Sequence, residues 1–157
     1  FVFGENGEAI SPRRNFSFDD GSLFMKTGDR KEYVDNYRKQ LIFVNSKIRA
    51  VIDKILSNPA RRSVIILQGD HGPGSMLDWE SPEKTNPRER MSILNAYYFP
   101  DRQYQSLYES ISPVNTFRVI FDQYFGANYG LLEDKSYFSS WKQPYYFTLV
   151  GKHVAKS

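Results

Sequence analysis

Two adjacent side chains carry the chemistry this sequence can do: Asp70 and His71, in the run Gln68-Gly69-Asp70-His71-Gly72-Pro73-Gly74-Ser75. A carboxylate oxygen and an imidazole nitrogen are both good ligands for zinc or manganese. Gly69, Gly72 and Gly74 let the backbone turn tightly or come close to a ligand. The plainer reading of the same residues is a turn in which Asp70 bonds the backbone and His71 is merely exposed. Ser75 follows the loop, but no base is placed by sequence to activate it, so it reads as a turn residue. The second histidine, His153, lies in a polar tail and reads as solvated. Arg88-Glu89-Arg90 offers cations to an anionic substrate, with solvated surface charge as the default. Trp79 and Trp141 read as cleft lining or as core and rim packing. No catalytic residue is assigned within the chain.

The elements around Asp70-His71 suggest where it sits. Residues 1–28 read mostly as loop, being rich in Gly, Asn, Asp and Pro without helical period. The exception is Phe1-Val2-Phe3, an apolar, β-prone triplet that reads as the tail of a strand beginning upstream. Asp29 with Glu32 three residues on predicts a capping box. Tyr33, Tyr37, Leu41, Val44, Ile48, Val51, Ile52 and Ile55 then form one apolar stripe at helical spacing, stopped by Asn58-Pro59. Ser63-Val64-Ile65-Ile66-Leu67 reads as a strand covered on both faces, the mark of a parallel sheet. A long helix feeding such a strand is half of a βαβ unit, and ligands gather beyond the carboxyl ends of its strands, where Gly69-Asp70-His71-Gly72 falls.

Farther on, residues 76–90 read as irregular, and 93–99 as a second buried strand ended by Pro100. Ser112-Pro113 opens a helix, whose expected apolar face is Val114, Phe117, Ile120, Phe121, Tyr124 and Phe125 and whose stop is Gly126. Pro144 to Val150 reads as a last strand, followed by a polar tail over 151–157. The expected architecture is α/β: a mixed, mostly parallel sheet flanked by helices, with 1–28 mostly loop, 29–150 the α/β body and 151–157 the tail, in a single domain spanning 1–157.

Composition narrows the function classes. The chain has 157 residues, 40% of them hydrophobic and 25% charged, enough to bury a core without staples. With no cysteine, a disulfide scaffold, a thiolate zinc site and a cysteine nucleophile are excluded. A net charge of +3 is too small and scattered to predict nucleic-acid binding. No apolar run reaches the length of a membrane span. Aromatic residues are plentiful, at 16%.

The run Val64-Ile65-Ile66-Leu67-Gln68-Gly69-Asp70-His71-Gly72 resembles the late metal-binding segment of the alkaline phosphatase superfamily, and most of all its sulfatase-like branch, which includes lipoteichoic acid synthases and phosphoethanolamine transferases. In that family a hydrophobic strand ends in Asp-His-Gly, whose Asp and His ligate the catalytic metal. The helix over Tyr33 to Ile55, Arg90-Met91-Ser92-Ile93-Leu94-Asn95-Ala96, and Ser112-Pro113-Val114-Asn115-Thr116-Phe117 extend the similarity over most of 30–150.

What the resemblance implies is the C-terminal part of a metal-dependent phosphoryl or sulfuryl ester hydrolase or transferase. Asp70 and His71 would be ligands to manganese, zinc, magnesium or calcium in the intact parent, with metal binding weak or absent in this segment alone. The family's nucleophile, its early acidic ligand and its other histidines have no counterpart in these residues, so the segment alone is expected to be inactive. The resemblance also implies an anionic phosphate or sulfate ester substrate and an extracytoplasmic domain tethered to a membrane by upstream segments. The rival expectation is a non-catalytic α/β domain that kept the scaffold and binds a partner or glycan through its aromatic loops.

Overall fold

The computed structural model describes residues 1–10 and 28–150, as a mixture of helices and short strands. Elements run in the order α1 (Arg30–Leu56), β1 (Ile65–Gln68), α2 (Pro87–Met91), β2 (Asn95–Tyr98), α3 (Pro113–Phe125), β3 (Ser136–Phe138) and β4 (Thr148–Val150). The expected tail over 151–157, with His153, and the loop expected over 11–27 lie outside the described residues. The chain divides into two compact units, one of residues 1–63 with 73–77, the other of 64–72 with 78–157.

In the first unit, α1 forms where its periodicity predicts. Its start differs in one respect: Asp29 occupies the N-cap but its side chain caps nothing, and the first turn closes through Tyr33 N–H donating to the Asp29 carbonyl at 3.0 Å. Ser57 ends the helix just before Asn58-Pro59. Of the apolar stripe only Tyr33 is buried, while Leu41, Val44, Val51 and Ile55 are exposed. The opening triplet pairs with the residues that follow it. Phe3 bridges antiparallel to Ala9, and the Ile10 amide donates to the Val2 carbonyl, making a tight hairpin turned at Gly7 with φ +86°. Its Phe1 ring stands edge-on to Tyr33, Phe3 meets Phe43, and the Val2 amide donates to Gln40 Oε1 at 2.7 Å.

The second unit corrects the expected parallel sheet. Among the described residues, β1 pairs antiparallel with β2, Ile65 opposite Tyr98 and Gln68 opposite Asn95, and β3 pairs antiparallel with β4. A parallel partner requires a crossover long enough to carry the chain back, usually a helix. Between β1 and β2 the only helix is the five-residue α2, so the chain returns alongside β1 in the opposite sense. With a single neighbour, the apolar strand Ile65-Ile66-Leu67 is half-buried rather than covered on both faces. The second strand, expected to be buried over 93–99, spans Asn95–Tyr98 and is covered on one face only, with Asn95, Tyr97 and Phe99 inward and Leu94, Ala96 and Tyr98 outward.

Helix α3 starts at Pro113 and stops at Gly126, whose φ of +64° is the left-handed cap that glycine takes at least cost. Its buried face shares only Ile120 with the expected one. Asn115, Thr116, Val119 and Ile120 are buried, whereas Val114, Phe117, Phe121 and Phe125 are exposed. The cause is polar. Thr116 Oγ1 lies 2.6 Å from the Tyr97 hydroxyl and accepts from Gln68 Nε2 at 3.3 Å, and Gln68 also donates to Asn95 Oδ1.

Asn115, fully buried, donates to the Leu132 carbonyl at 2.8 Å and accepts from the Leu132 amide at 2.9 Å, imitating a strand ladder with one side chain. Buried polar groups left unmade cost more than an aromatic left half-exposed, so hydrogen bonding sets the rotation of the helix. The core is centred on Phe99, fully buried against Tyr97, Tyr104 and Tyr124.

Candidate metal centre

Strand β1 ends at Gln68, and the ladder runs one residue further through Gly69, whose amide donates to the Leu94 carbonyl at 2.9 Å. The chain then turns at Asp70-His71. Gly72 is what allows the turn to seat. Its amide donates to the Arg90 carbonyl at 2.7 Å, and a Cβ at this position would stand 2.0 Å from the Glu89 carbonyl oxygen and 2.6 Å from that of Ser92. Only glycine lets the loop lie against the end of α2, itself started by the Asn86 side chain accepting from the Glu89 amide.

The turn brings Asp70 and His71 together on one side of the backbone. Asp70 Oδ1 accepts from the His71 amide at 3.0 Å, and Oδ2 lies 3.5 Å from His71 Nε2. The Asp70 side chain is 88% exposed and the His71 side chain 37%. The turn reading of Asp70 therefore describes one of its oxygens and leaves the other directed at the imidazole.

On its other edge the imidazole meets α2. His71 Nδ1 lies 2.7 Å from Arg90 Nη1 and 2.9 Å from the Gly72 carbonyl, which itself accepts from Arg90 Nη1 at 3.0 Å. A guanidinium only donates, so with Arg90 bonded to Nδ1 the ring proton sits on Nε2. The other tautomer, with Nδ1–H donating to the Gly72 carbonyl and the Nε2 lone pair facing the Asp70 carboxylate, requires Arg90 Nη1 to move off Nδ1, since two N–H donors cannot share 2.7 Å. The second arrangement is the one ligating histidines adopt, with the outer ring nitrogen fixed by a backbone carbonyl. Arg90 also stacks over Trp79, its guanidinium carbon 5.5 Å from the ring centroid, and Trp79 meets Trp141 at 5.9 Å. Sequence reasoning left Arg90 among the surface charges. Its nearness to His71 has no signal in spacing, because residues 72–89 separate the two.

These residues fit a divalent metal in two respects. Bond lengths near 2.0–2.2 Å in a tetrahedral site put neighbouring donor atoms about 3.3–3.6 Å apart, and the Nε2 to Oδ2 separation is 3.5 Å. One nitrogen and one oxygen donor suit zinc or manganese better than calcium or magnesium, which take oxygen ligands. Among the described residues no group of three or more His, Asp or Glu converges, so Asp70 and His71 would be two ligands where a catalytic site ordinarily has three from protein.

The remaining candidates fall elsewhere. Ser75 is buried and accepts from Arg30 Nε at 3.4 Å within the first unit. A cleft of about 620 Å³ opens in the second unit between Gln103, Tyr108, Val119, Asp122, Gln123 and Leu131, and neither Asp70 nor His71 lines it. Its Asp122 is already held by the Tyr129 amide at 2.6 Å and the Gly130 amide at 2.9 Å. Comparison with protein-family models, curated proteins and solved structures finds no match for this chain.

Proposed function

We propose that Asp70 and His71 are two ligands of a catalytic divalent metal in a phosphoryl or sulfuryl ester hydrolase or transferase of the sulfatase-like kind. On this proposal the chain is the C-terminal part of that catalytic domain. The observation that carries the reading is the 3.5 Å approach of Asp70 Oδ2 to His71 Nε2 where β1 ends, with the opposite ring nitrogen beside the Gly72 carbonyl. Manganese or zinc in that position would supply Lewis-acid stabilisation of charge on an ester oxygen and a lowered pKa for a hydroxyl nucleophile. His71 would give Nε2 to the metal, Gly72 would hold the ring through Nδ1, and Asp70 would contribute Oδ2 while Oδ1 keeps its bond to the His71 amide. Arg90 would place a permanent positive charge beside the site, favouring an anionic substrate.

The nucleophile and the remaining ligands would come from upstream sequence, as would the membrane tether of an extracytoplasmic parent. Exposure of the apolar face of α1 and of the Phe117, Phe121 and Phe125 row on α3 agrees with a body that other chain covers in a larger domain. The same exposure is what favours the second reading, a non-catalytic domain docking a partner through those faces.

A nitrophenyl phosphate and nitrophenyl sulfate assay decides between them. The chain alone is expected to be inactive. Joined to its natural upstream sequence and supplied with manganese or zinc, it should turn over one of the esters, with His71→Ala lowering the rate at least about 100-fold. An active metal-supplied parent indifferent to His71→Ala would overturn the metal assignment, and an inactive parent would favour the docking domain.

A further inference from the structure

Arg90 is tied into the candidate centre in a way a solvated surface charge is not. Its Nη1 lies 2.7 Å from His71 Nδ1 and 3.0 Å from the Gly72 carbonyl, so one NH2 group bridges the ring and the backbone oxygen beside it. The ring nitrogen itself lies 2.9 Å from that oxygen, a separation that suits a direct hydrogen bond between them once Arg90 withdraws from the ring. The guanidinium carbon stands 5.5 Å from the centroid of the Trp79 ring, and Trp141 meets Trp79 at 5.9 Å. Stacking of this kind fixes a guanidinium in place without using an N–H.

We propose that Arg90 is a positioning residue for His71, a latch that holds the ring in its non-ligating tautomer and couples metal binding to the binding of an oxyanion. This rests on the metal reading of Asp70 and His71 and adds to it a control on loading. A guanidinium donates and never accepts, so while Nη1 bonds Nδ1 the ring proton stays on Nε2, directed at Asp70 Oδ2 3.5 Å away. Nε2 is then a donor with no lone pair for a metal. Loading takes one proton from Nε2 and places one on Nδ1, with the charge of the ring unchanged. Nδ1–H then donates to the Gly72 carbonyl, and Arg90 Nη1 must leave the ring. A divalent cation at Nε2 also repels the nearby guanidinium. An oxyanion such as sulfate or a phosphate ester offsets both costs, because it draws the guanidinium off the ring into a bidentate pairing and neutralises its charge. Metal and oxyanion therefore bind cooperatively, each raising the affinity for the other by the same factor. The apparent metal affinity follows the fraction of rings in the ligating tautomer, so a latch holding about nine rings in ten lowers it about tenfold.

The test reads nitrogen NMR of labelled imidazoles in the full chain and needs no catalysis. Without metal, His71 should carry its proton on Nε2 in the parent chain and shift it towards Nδ1 in Arg90→Met, which keeps an unbranched side chain over Trp79 and removes every donor. Zinc should bind His71 about tenfold more tightly in Arg90→Met than in the parent. Sodium sulfate, compared with sodium chloride at equal ionic strength, should tighten zinc binding to the parent about fivefold or more and leave Arg90→Met unchanged. The sulfate comparison needs no substitution, and circular dichroism of Arg90→Met should match the parent. A parent His71 already protonated on Nδ1, or a ring proton indifferent to Arg90→Met, overturns the latch. Zinc that binds His71 equally in both proteins, with or without sulfate, overturns the latch and leaves the metal reading standing. Zinc that moves His71 in neither protein removes the metal reading and the latch with it.

Discussion

Two carboxylates of the second unit show opposite uses of the same group. Asp134 is enclosed by donors: the Ser112 amide at 2.8 Å, the Tyr108 hydroxyl at 2.5 Å and Asn115 Nδ2 at 3.0 Å. Burial pushes its carboxyl up, but the hydrogen bonds from Ser112, Tyr108 and Asn115 outweigh it and hold the group below its ordinary value. Asp70 stands 88% exposed, with one backbone bond and an imidazole for a neighbour. A carboxylate satisfied on both oxygens is a fastener for the loop over 127–135. One with an oxygen directed at a histidine at a strand end has coordination capacity left. Hydrogen-bond saturation, more than residue type, separates the structural acid from the candidate ligand.

Breaking the fastener should have the largest effect on stability. Asn115→Ala removes a fully buried side chain that bonds both backbone groups of Leu132 and the Tyr108–Asp134 pair, so urea denaturation should register a loss of about 3 kcal/mol. Gly72→Ala comes next. The added methyl meets backbone carbonyls rather than a movable side chain, and the cost should be about 2 kcal/mol, with the His71 ring resonances displaced in NMR spectra. A Gly72→Ala protein as stable as the parent would show that the close approach to α2 is not needed.

The acid dependence is smaller and has a definite sign. Because Asp134 titrates lower folded than unfolded, the unfolded chain binds the extra proton first. Its contribution is therefore whole above the unfolded carboxyl value of about 3.9 and is lost as pH falls below that and through the folded one. Asp134→Asn should flatten that part of the stability profile. At the alkaline end, burial and the bond to Asp101 push the Tyr124 phenol up to about 12. Its contribution is whole below the unfolded value of about 10 and fades as pH rises through about 12, which Tyr124→Phe should abolish. Asp70→Asn should change stability least, within about 0.5 kcal/mol. A loss as large as that of Asn115→Ala would make Asp70 a second fastener and remove the contrast.

Much of this was legible in the sequence, for physical reasons. Helix α1 announces itself by periodicity, α3 by Ser112-Pro113 and Gly126, and the Asp-His pair by its place after an apolar strand. What stayed hidden depends on contacts distant in sequence. Strand direction followed from the lack of a crossover helix between β1 and β2, which an apolar run cannot report. Rotation of α3 followed from Asn115 and Thr116 finding partners on Leu132, Gln68 and Tyr97, overriding the hydrophobic pattern. The strand β3 is three residues long, too short for alternation to signal it. Arg90 reaches His71 only because Gly72 seats against α2.

Because the chain has only two histidines, a zinc titration followed by nitrogen NMR of the labelled imidazoles reads the candidate centre directly, even where affinity is low. Coordination by Asp70 and His71 together predicts that His71 Nε2 shifts as the ligating atom, that the ring proton moves to Nδ1 towards Gly72 as Arg90 leaves it, and that Asp70→Asn weakens the effect about tenfold or more. Shifts confined to His153, ligation through Nδ1, or an unchanged response in Asp70→Asn would contradict a shared metal at the end of β1.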